Sequence, residues 1–175
     1  MSKRESYVGD GVREIYLAST QAGVATSVAL SATQTGFCLT NPAGSGKTLV
    51  LLNVSIAQSV APAASGAFTL TANVNPIAAA VTQTTPLTVR PANLGKTATG
   101  AGLAASAVTL PTTSVVVKPL GGGPNATGGV MSSVMNFDID GGILVAPGCA
   151  VSVNTVTTAV TAVIGMIWEE VDEIG

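Results

Sequence analysis

The sequence predicts an all-β protein, an antiparallel β-sandwich of jelly-roll type with long loops rich in Gly, Pro, Ala and Thr. Several short segments alternate apolar and polar residues with a period of two, as strands with one buried face do. Clusters of Gly, Pro and Asn interrupt these segments at short intervals and indicate turns. No segment has a strong helical pattern, and 175 residues are enough to bury a substantial core in one domain.

The beginning of the chain is predicted to hold an extended arm and the first strand. Residues 1–11 are polar and contain two glycines, so we expect them to form the arm and residues 12–175 to form a single sandwich domain. The stretch from Val12 to Ser19 alternates and is the predicted first strand. The stretch from Val24 to Ala32 is compatible with a strand or a loop, because its small residues favour neither strongly.

A central hairpin is predicted between Phe37 and Gln58. A short apolar strand leads into the turn cluster Asn41-Pro42-Ala43-Gly44-Ser45-Gly46, and a longer strand follows. The alternation of the longer strand divides its residues between two faces. The predicted faces are Val50, Leu52, Val54 and Ile56 on one side, and Leu51, Asn53, Ser55 and Ala57 on the other.

The middle of the chain is predicted to form short strands separated by loops. The stretch from Ala67 to Val74 alternates, whereas residues 75–129 are interrupted by six prolines. The stretch from Ala98 to Ala107 is compatible with a short helix, but its two glycines favour a loop. The other predictions are an apolar face of Phe68, Leu70 and Ala72, short strands at Leu87–Arg90 and Ser114–Lys118, and a long turn at Gly121-Gly122-Gly123-Pro124.

The end of the chain returns to clear alternation. Strands are predicted at Met131–Asp140, Ile143–Ala146, Cys149–Val156 and Ala159–Glu170, with turns at Gly141-Gly142 and Pro147-Gly148. The last strand has Val160, Ala162, Ile164, Met166 and Trp168 on one face, and Val163 and Ile167 on the other. Apolar residues on both faces predict a strand that is covered on both sides, by the core and by a neighbour.

One stretch resembles the end of a phosphate-binding loop, Ala43-Gly44-Ser45-Gly46-Lys47-Thr48. The motif requires an earlier glycine, and Asn41 occupies that position. Pro42 has no amide hydrogen to offer a phosphate, and the next segment has the pattern of a strand instead of the required helix. We therefore predict a plain loop, with Lys47 on its solvent side and no nucleotide site.

The composition predicts that the surface is covered in an oligomer or a larger assembly. Only 9% of the residues are charged and 47% are hydrophobic, whereas about 25% charged residues are usual in soluble domains. The alternative is a monomer coated with Thr and Ser. Residues 15–137 contain no acid, and six acids and no base follow from Asp138 onward. The acidic end could meet basic loops of another subunit, or it could be a solvated terminus.

The chemistry of an enzyme is not indicated. The chain has no histidine, the usual general base and metal ligand, and its net charge of −2 does not indicate a nucleic-acid partner. Asp138-Ile139-Asp140-Gly141 has a faint likeness to a calcium loop but reads better as a turn. Cys38 and Cys149 are predicted to be buried free thiols. We expect no catalytic, cofactor-binding or metal-binding residues, and no signal peptide or membrane span.

Three segments carry a resemblance to a known class of proteins. They are Asn41–Lys47 with the following Leu49-Val50-Leu51-Leu52, Leu144–Gly148 with the following strand, and Ile167-Trp168-Glu169-Glu170. In these segments the chain resembles small bacteriophage virion structural proteins of the head-decoration or head-fibre kind. The resemblance implies a β-sandwich protein without catalytic residues, often trimeric, that is bound to a capsid or tail.

The expected partners follow from this resemblance. They are copies of the chain itself in a homotrimer, and the major capsid protein or another virion protein, in a virion assembled in the host cytoplasm. No nucleic acid or membrane is expected as a partner. We expect the arm of residues 1–14 and the acidic end from Glu169 to reach neighbours. The alternatives are a phage tail or fibre module that binds a receptor or carbohydrate, and a nucleotide-binding enzyme.

Overall fold

The computed structural model describes residues 14–73, 81–122 and 134–173. The predicted arm, the first two residues of the predicted first strand, Val74, and the beginning of the strand predicted from Met131 lie outside these ranges. The strands are β1 (Glu14–Ser19), β2 (Val24–Ala25), β3 (Thr33–Thr40), β4 (Lys47–Gln58), β5 (Ala67–Asn73), β6 (Thr82–Leu87), β7 (Arg90–Pro91), β8 (Leu103–Thr109), β9 (Val115–Gly122), β10 (Met135–Val145), β11 (Ala150–Val156) and β12 (Thr161–Asp172).

The strands form two antiparallel sheets, which confirms the predicted all-β sandwich. Sheet A has the order β10-β4-β12-β1-β7, with β2 beside β12, and sheet B has the order β6-β8-β3-β11-β5-β9. Strands account for 62% of the described residues, and none of these residues lies in a helix. The described ranges accordingly hold no helix of the length and apolarity needed to cross a membrane. The jelly-roll connectivity stays a prediction.

The core lies between the inner faces of the two sheets. The predicted inner face of β12 is confirmed, because Ala162, Ile164, Met166 and Trp168 are almost completely buried. The predicted apolar face of β5 is confirmed as well. From sheet B these residues meet Phe37, Leu39, Phe68, Leu70, Val151 and Val153.

The two strands of the predicted central hairpin lie in different sheets, so that pairing was wrong. β3 pairs with β8 and β11 in sheet B, whereas β4 pairs with β10 and β12 in sheet A. Residues 41–46 cross from one sheet to the other at an end of the sandwich. A turn cluster indicates where the chain reverses, but a loop of this length can reach either the neighbouring strand or the opposite sheet.

An extra residue in β4 changes which side chains face the core. Leu52 interrupts the pairing of β4 with β12 and forms a bulge. Leu51 before the bulge and Val54 and Ile56 after it are fully buried. The prediction that Val50 shares a face with Val54 and Ile56 was therefore wrong, whereas Val54 and Ile56 do share one, because strict alternation does not foresee an extra residue.

The same bulge distorts the neighbouring strand. The pairing of β10 with β4 passes from Asp138 directly to Ile143. Asp140 and Gly141 adopt φ angles of 51° and 75° in the residues between. The turn predicted at Gly141-Gly142 is therefore a bulge inside one strand, and it does not separate two strands.

Two stretches of the middle of the chain differ from prediction. The stretch from Ala98 to Ala107 enters a strand, β8, in which Ala104 faces the core and Ala105 faces the outside of sheet B. Gly121 and Gly122 belong to β9 and not to a turn. Small residues concealed the alternation in both places, because Ala and Gly contribute little contrast between an apolar and a polar face.

Candidate functional site

The loop that resembles a phosphate-binding motif is a structural connection. Asn41 is fully buried, and its side-chain nitrogen donates to the carbonyl oxygens of Lys47 at 2.7 Å and Val145 at 2.8 Å. Ser45 Oγ donates to Asn41 Oδ1 at 2.6 Å. The loop leads into strand β4, so it does not present the helix N-terminus that holds phosphates in nucleotide-binding proteins.

Lys47 is the first residue of β4 and not a loop residue as predicted, but its side chain lies on the solvent side, between two carboxylates. Its Nζ is 3.0 Å from Glu14 Oε2 and 3.0 Å from Asp172 Oδ1. The hydrogen bonds to Asp172 and to Glu14 raise the pKa of Lys47 to about 12. Asp172 in the acidic end thus meets a base of its own chain, as well as being exposed to solvent.

Replacing Lys47 with Met should lower stability at neutral pH and leave little difference at high pH. A lysine whose pKa is raised from 10.5 to about 12 on folding stabilises the folded state fully below pH 10.5, and loses this effect as the pH rises through about 12. Denaturant unfolding of the wild type and the variant across this range measures the difference. The exposed Lys96→Met variant is the control. A difference that persists unchanged above pH 12 would contradict the role of the ion pairs.

Glu170, near the end of β12, is a buried carboxylate that links the two sheets. Its Oε2 accepts a hydrogen bond from the Ala101 amide at 2.8 Å. Its Oε1 accepts from the Gly102 amide at 2.9 Å and from Trp168 Nε1 at 3.0 Å. A Cβ at Gly100 would lie 2.7 Å from Oε1, so glycine there permits the close approach. The expectation that the acidic end reaches neighbours was therefore wrong for Glu170.

The two cysteines are free thiols in different surroundings. Cys38 is buried as predicted, and burial raises its pKa to about 12. Cys149 is only partly buried, and burial raises its pKa as well. Because the thiolate is the reactive form, neither side chain is activated as a nucleophile at neutral pH.

The acids on β10 do not form a recognisable metal centre. Asn53 Nδ2 donates to Asp138 Oδ1 at 3.3 Å, across the strand pair. Throughout residues 14–73, 81–122 and 134–173, no three His, Cys, Asp or Glu side chains are grouped so that they could hold a metal ion.

The centre of the outer face of sheet B, on β3, β5 and β11, is buried and carries a polar network. Thr71 Oγ1 lies 2.7 Å from Ser152 Oγ, and Asn154 Nδ2 donates to Gln34 Oε1 at 2.7 Å. All four side chains are buried. Buried polar groups that bond one another stabilise the fold without offering their donors and acceptors to a partner.

The outer face of sheet A is less covered and mainly apolar. Val163 and Ile167 lie on it, as predicted for the second face of the last strand, and both are partly exposed. Small side chains at Ser19, Ser55 and Gly165 continue the same face. We call this surface the open face, and its larger apolar members are Leu17, Val50, Leu52, Leu144, Val163 and Ile167.

The edge strands of both sheets carry features that oppose pairing with another chain. β6, β7 and β9 contain Pro86, Pro91 and Pro119, each of which lacks an amide hydrogen. Lys118 adds a charge to β9, and the bulge of β10 interrupts the remaining edge. Association through the open face is therefore favoured over association through an edge.

Comparisons with models of protein families, with characterised proteins and with solved structures gave no match for this chain.

Proposed function

We propose that this chain is a non-enzymatic structural protein of a bacteriophage virion that decorates or stabilises the outer surface of the capsid. The open face carries the proposal, because a sheet surface that is apolar at its centre favours burial against another protein. The low content of charged residues favours an assembled protein for the same reason. The resemblance to head-decoration proteins suggests that this assembly is a virion, in which the partner is the major capsid protein or another virion protein.

The surroundings of the reactive side chains support a structural role. Lys47 is bound by two carboxylates, and the carboxylate of Glu170 is bound by two amides and an indole. The thiol of Cys38 is buried with a raised pKa. The lysine and the carboxylate are thus engaged by other groups of the same chain and the thiol is buried, which supports a structural role for all three.

The arrangement of the aromatic rings favours the capsid role over carbohydrate binding. Proteins that bind sugars commonly use exposed aromatic rings as stacking surfaces. In the described part of the chain Tyr16, Phe37, Phe68 and Trp168 are buried, and Phe137 is partly buried against the core. A receptor-binding tail or fibre module that relies on stacking would need different rings.

Purified particles should contain this protein, and a variant lacking residues 2–11 should attach less well. The first described strand begins at Glu14, so removal of residues 2–11 takes away none of the described strands and should leave the circular dichroism spectrum and the emission of Trp168 unchanged. Occupancy is measured by densitometry of particles mixed with each protein and recovered by sedimentation. Full occupancy by the truncated protein would show that the arm does not contribute to attachment. Absence of the wild type from particles would overturn the proposed function.

A further inference from the structure

We propose that two copies of this chain associate face to face through their open faces, about a two-fold axis that runs along β12. The inference deepens the proposed function, on which it rests for its biological setting, by naming a second copy as the partner at this surface. The observation that supports this inference is the order of side chains across sheet A.

One row of side chains crosses the whole open face. Pairing between the strands aligns Asp138 with Asn53, Asn53 with Ile167, Ile167 with Leu17, and Leu17 with Arg90. The row therefore has an acid at one margin, a base at the other and apolar side chains at and beside its centre. Asp138 and Arg90 are both exposed. Four strand spacings of about 4.8 Å separate them by about 19 Å.

Rotation by 180° about an axis parallel to β12 places the same row of a second copy opposite this row, in the reverse order. Ile167 then meets Ile167 of the second copy, and Asp138 at one margin lies opposite Arg90 of the second copy at the other. Both ion pairs form at once, which is the self-complementarity of a two-fold interface. An axis across the strands would instead place acid on acid and base on base, so the charges select one orientation.

The spacing between packed sheets suits these contacts. Sheets stack about 10 Å apart, a distance that apolar side chains from both faces fill at the centre. The long side chain of Arg90 can cross most of that gap toward a carboxylate at the margin. Charged rims around apolar centres are the usual arrangement of protein interfaces.

The size of the open face predicts a weak pair. About five residues along each of β10, β4, β12 and β1 give a face of roughly 300 Å², at about 3.4 Å per residue and 4.8 Å per strand. A standard interface buries about 800 Å² per partner, so we expect a dissociation constant in the micromolar range. Copies held close together on a particle would pair at such an affinity, because their effective concentration is in the millimolar range.

Glu169 marks one end of the open face. It lies on β12, two residues from Ile167, and is 8% exposed. Ile15 and Thr48, at the same end, are also less than a tenth exposed. The contact between copies is therefore centred on the part of the face from Val163 to Ile167, where the outward side chains of β12 are more exposed.

Charge reversal tests the orientation of the pair. Asp138→Arg and Arg90→Asp should each raise the dissociation constant of the pair about tenfold or more, because each change places like charges opposite one another twice. The variant with both changes restores opposite charges and should regain the wild-type affinity. Sedimentation equilibrium of the purified full-length chain across the micromolar range measures all four proteins.

Substitution at the axis tests the location of the pair. Ile167→Glu should give a monomer throughout the micromolar range, because the two carboxylates would meet at the axis. Val116→Glu adds the same charge to a valine on β9 that is 43% exposed and outside the open face, and should leave the pair intact. Circular dichroism verifies that both variants are folded; the surface charge reversals provide the test if Ile167→Glu is not.

The outcomes separate this inference from the proposed function. A monomeric wild type, the homotrimer that the resemblance implies, or a pair that is insensitive to the charge reversals would overturn the face-to-face pair. The particle experiment is independent of these measurements. A monomeric chain that decorates particles would contradict the pair and support the proposed function. A paired chain that never attaches to particles would support the pair and contradict the virion role.

Discussion

Replacing Glu170 with alanine should lower the free energy of unfolding by about 3 kcal/mol, because two buried donors and one partly buried donor lose their acceptor. The donors are the amides of Ala101 and Gly102 and the indole nitrogen of Trp168. The carboxylate also joins sheet A to the segment that enters β8 of sheet B, so its loss should weaken the contact between sheets. Guanidinium unfolding followed by circular dichroism measures the change.

Two further variants make the interpretation specific. Glu170→Gln keeps one oxygen for Gly102 and Trp168 but turns a donor toward the Ala101 amide, so we expect a loss of about 1 to 2 kcal/mol. Glu173→Ala removes an exposed acid three residues later, and its effect should stay within about 0.5 kcal/mol. A loss below about 1 kcal/mol for Glu170→Ala would mean that the carboxylate does not hold the sheets together.

The fold class was predictable because the strongest pattern in the sequence is local. Alternation along β12 and β5 depends only on which side chains face the core, and every second side chain of a strand lies on the same face. Strand pairing depends on distant parts of the chain, which is why the sandwich was predicted correctly while the hairpin of β3 and β4 was not. Bulges such as that at Leu52 shift the alternation by one residue and leave no distinct local mark.

The open face was foreseen only in part. Val163 and Ile167 appeared in the sequence as a second apolar face of the last strand. The margins of the row, Asp138 and Arg90, are 48 positions apart and come together on one face only through the order of strands in sheet A. The role of Glu170 was missed because a carboxylate next to other acids at a chain end is usually solvated, and its three donors come from backbone amides and an indole. Trp168, two residues earlier, was the available signal, since a buried indole nitrogen needs an acceptor.

Replacing Gly36 with alanine should lower the free energy of unfolding by about 3 kcal/mol, by combining backbone strain with a steric clash. Gly36 lies inside β3 with a φ of 113°, a conformation that residues with a side chain rarely adopt. A Cβ there would lie 3.1 Å from the carbonyl oxygen of Val153 and 3.4 Å from the Cα of Thr26. Backbone atoms occupy both positions, so relief requires β3 to move away from β11.

Gly46→Ala is the control, because it places a methyl group at a positive φ without a steric clash. Gly46 has a φ of 66°, and a Cβ added to it would meet nothing within 4 Å. Its replacement should therefore cost only the left-handed conformation, about 1 kcal/mol. Unfolding in guanidinium, followed by the emission of Trp168, measures both variants, since the chain has a single tryptophan and it is completely buried. Equal losses for the two variants would show that β3 and β11 accommodate a methyl group, and that the close approach at Gly36 does not stabilise sheet B.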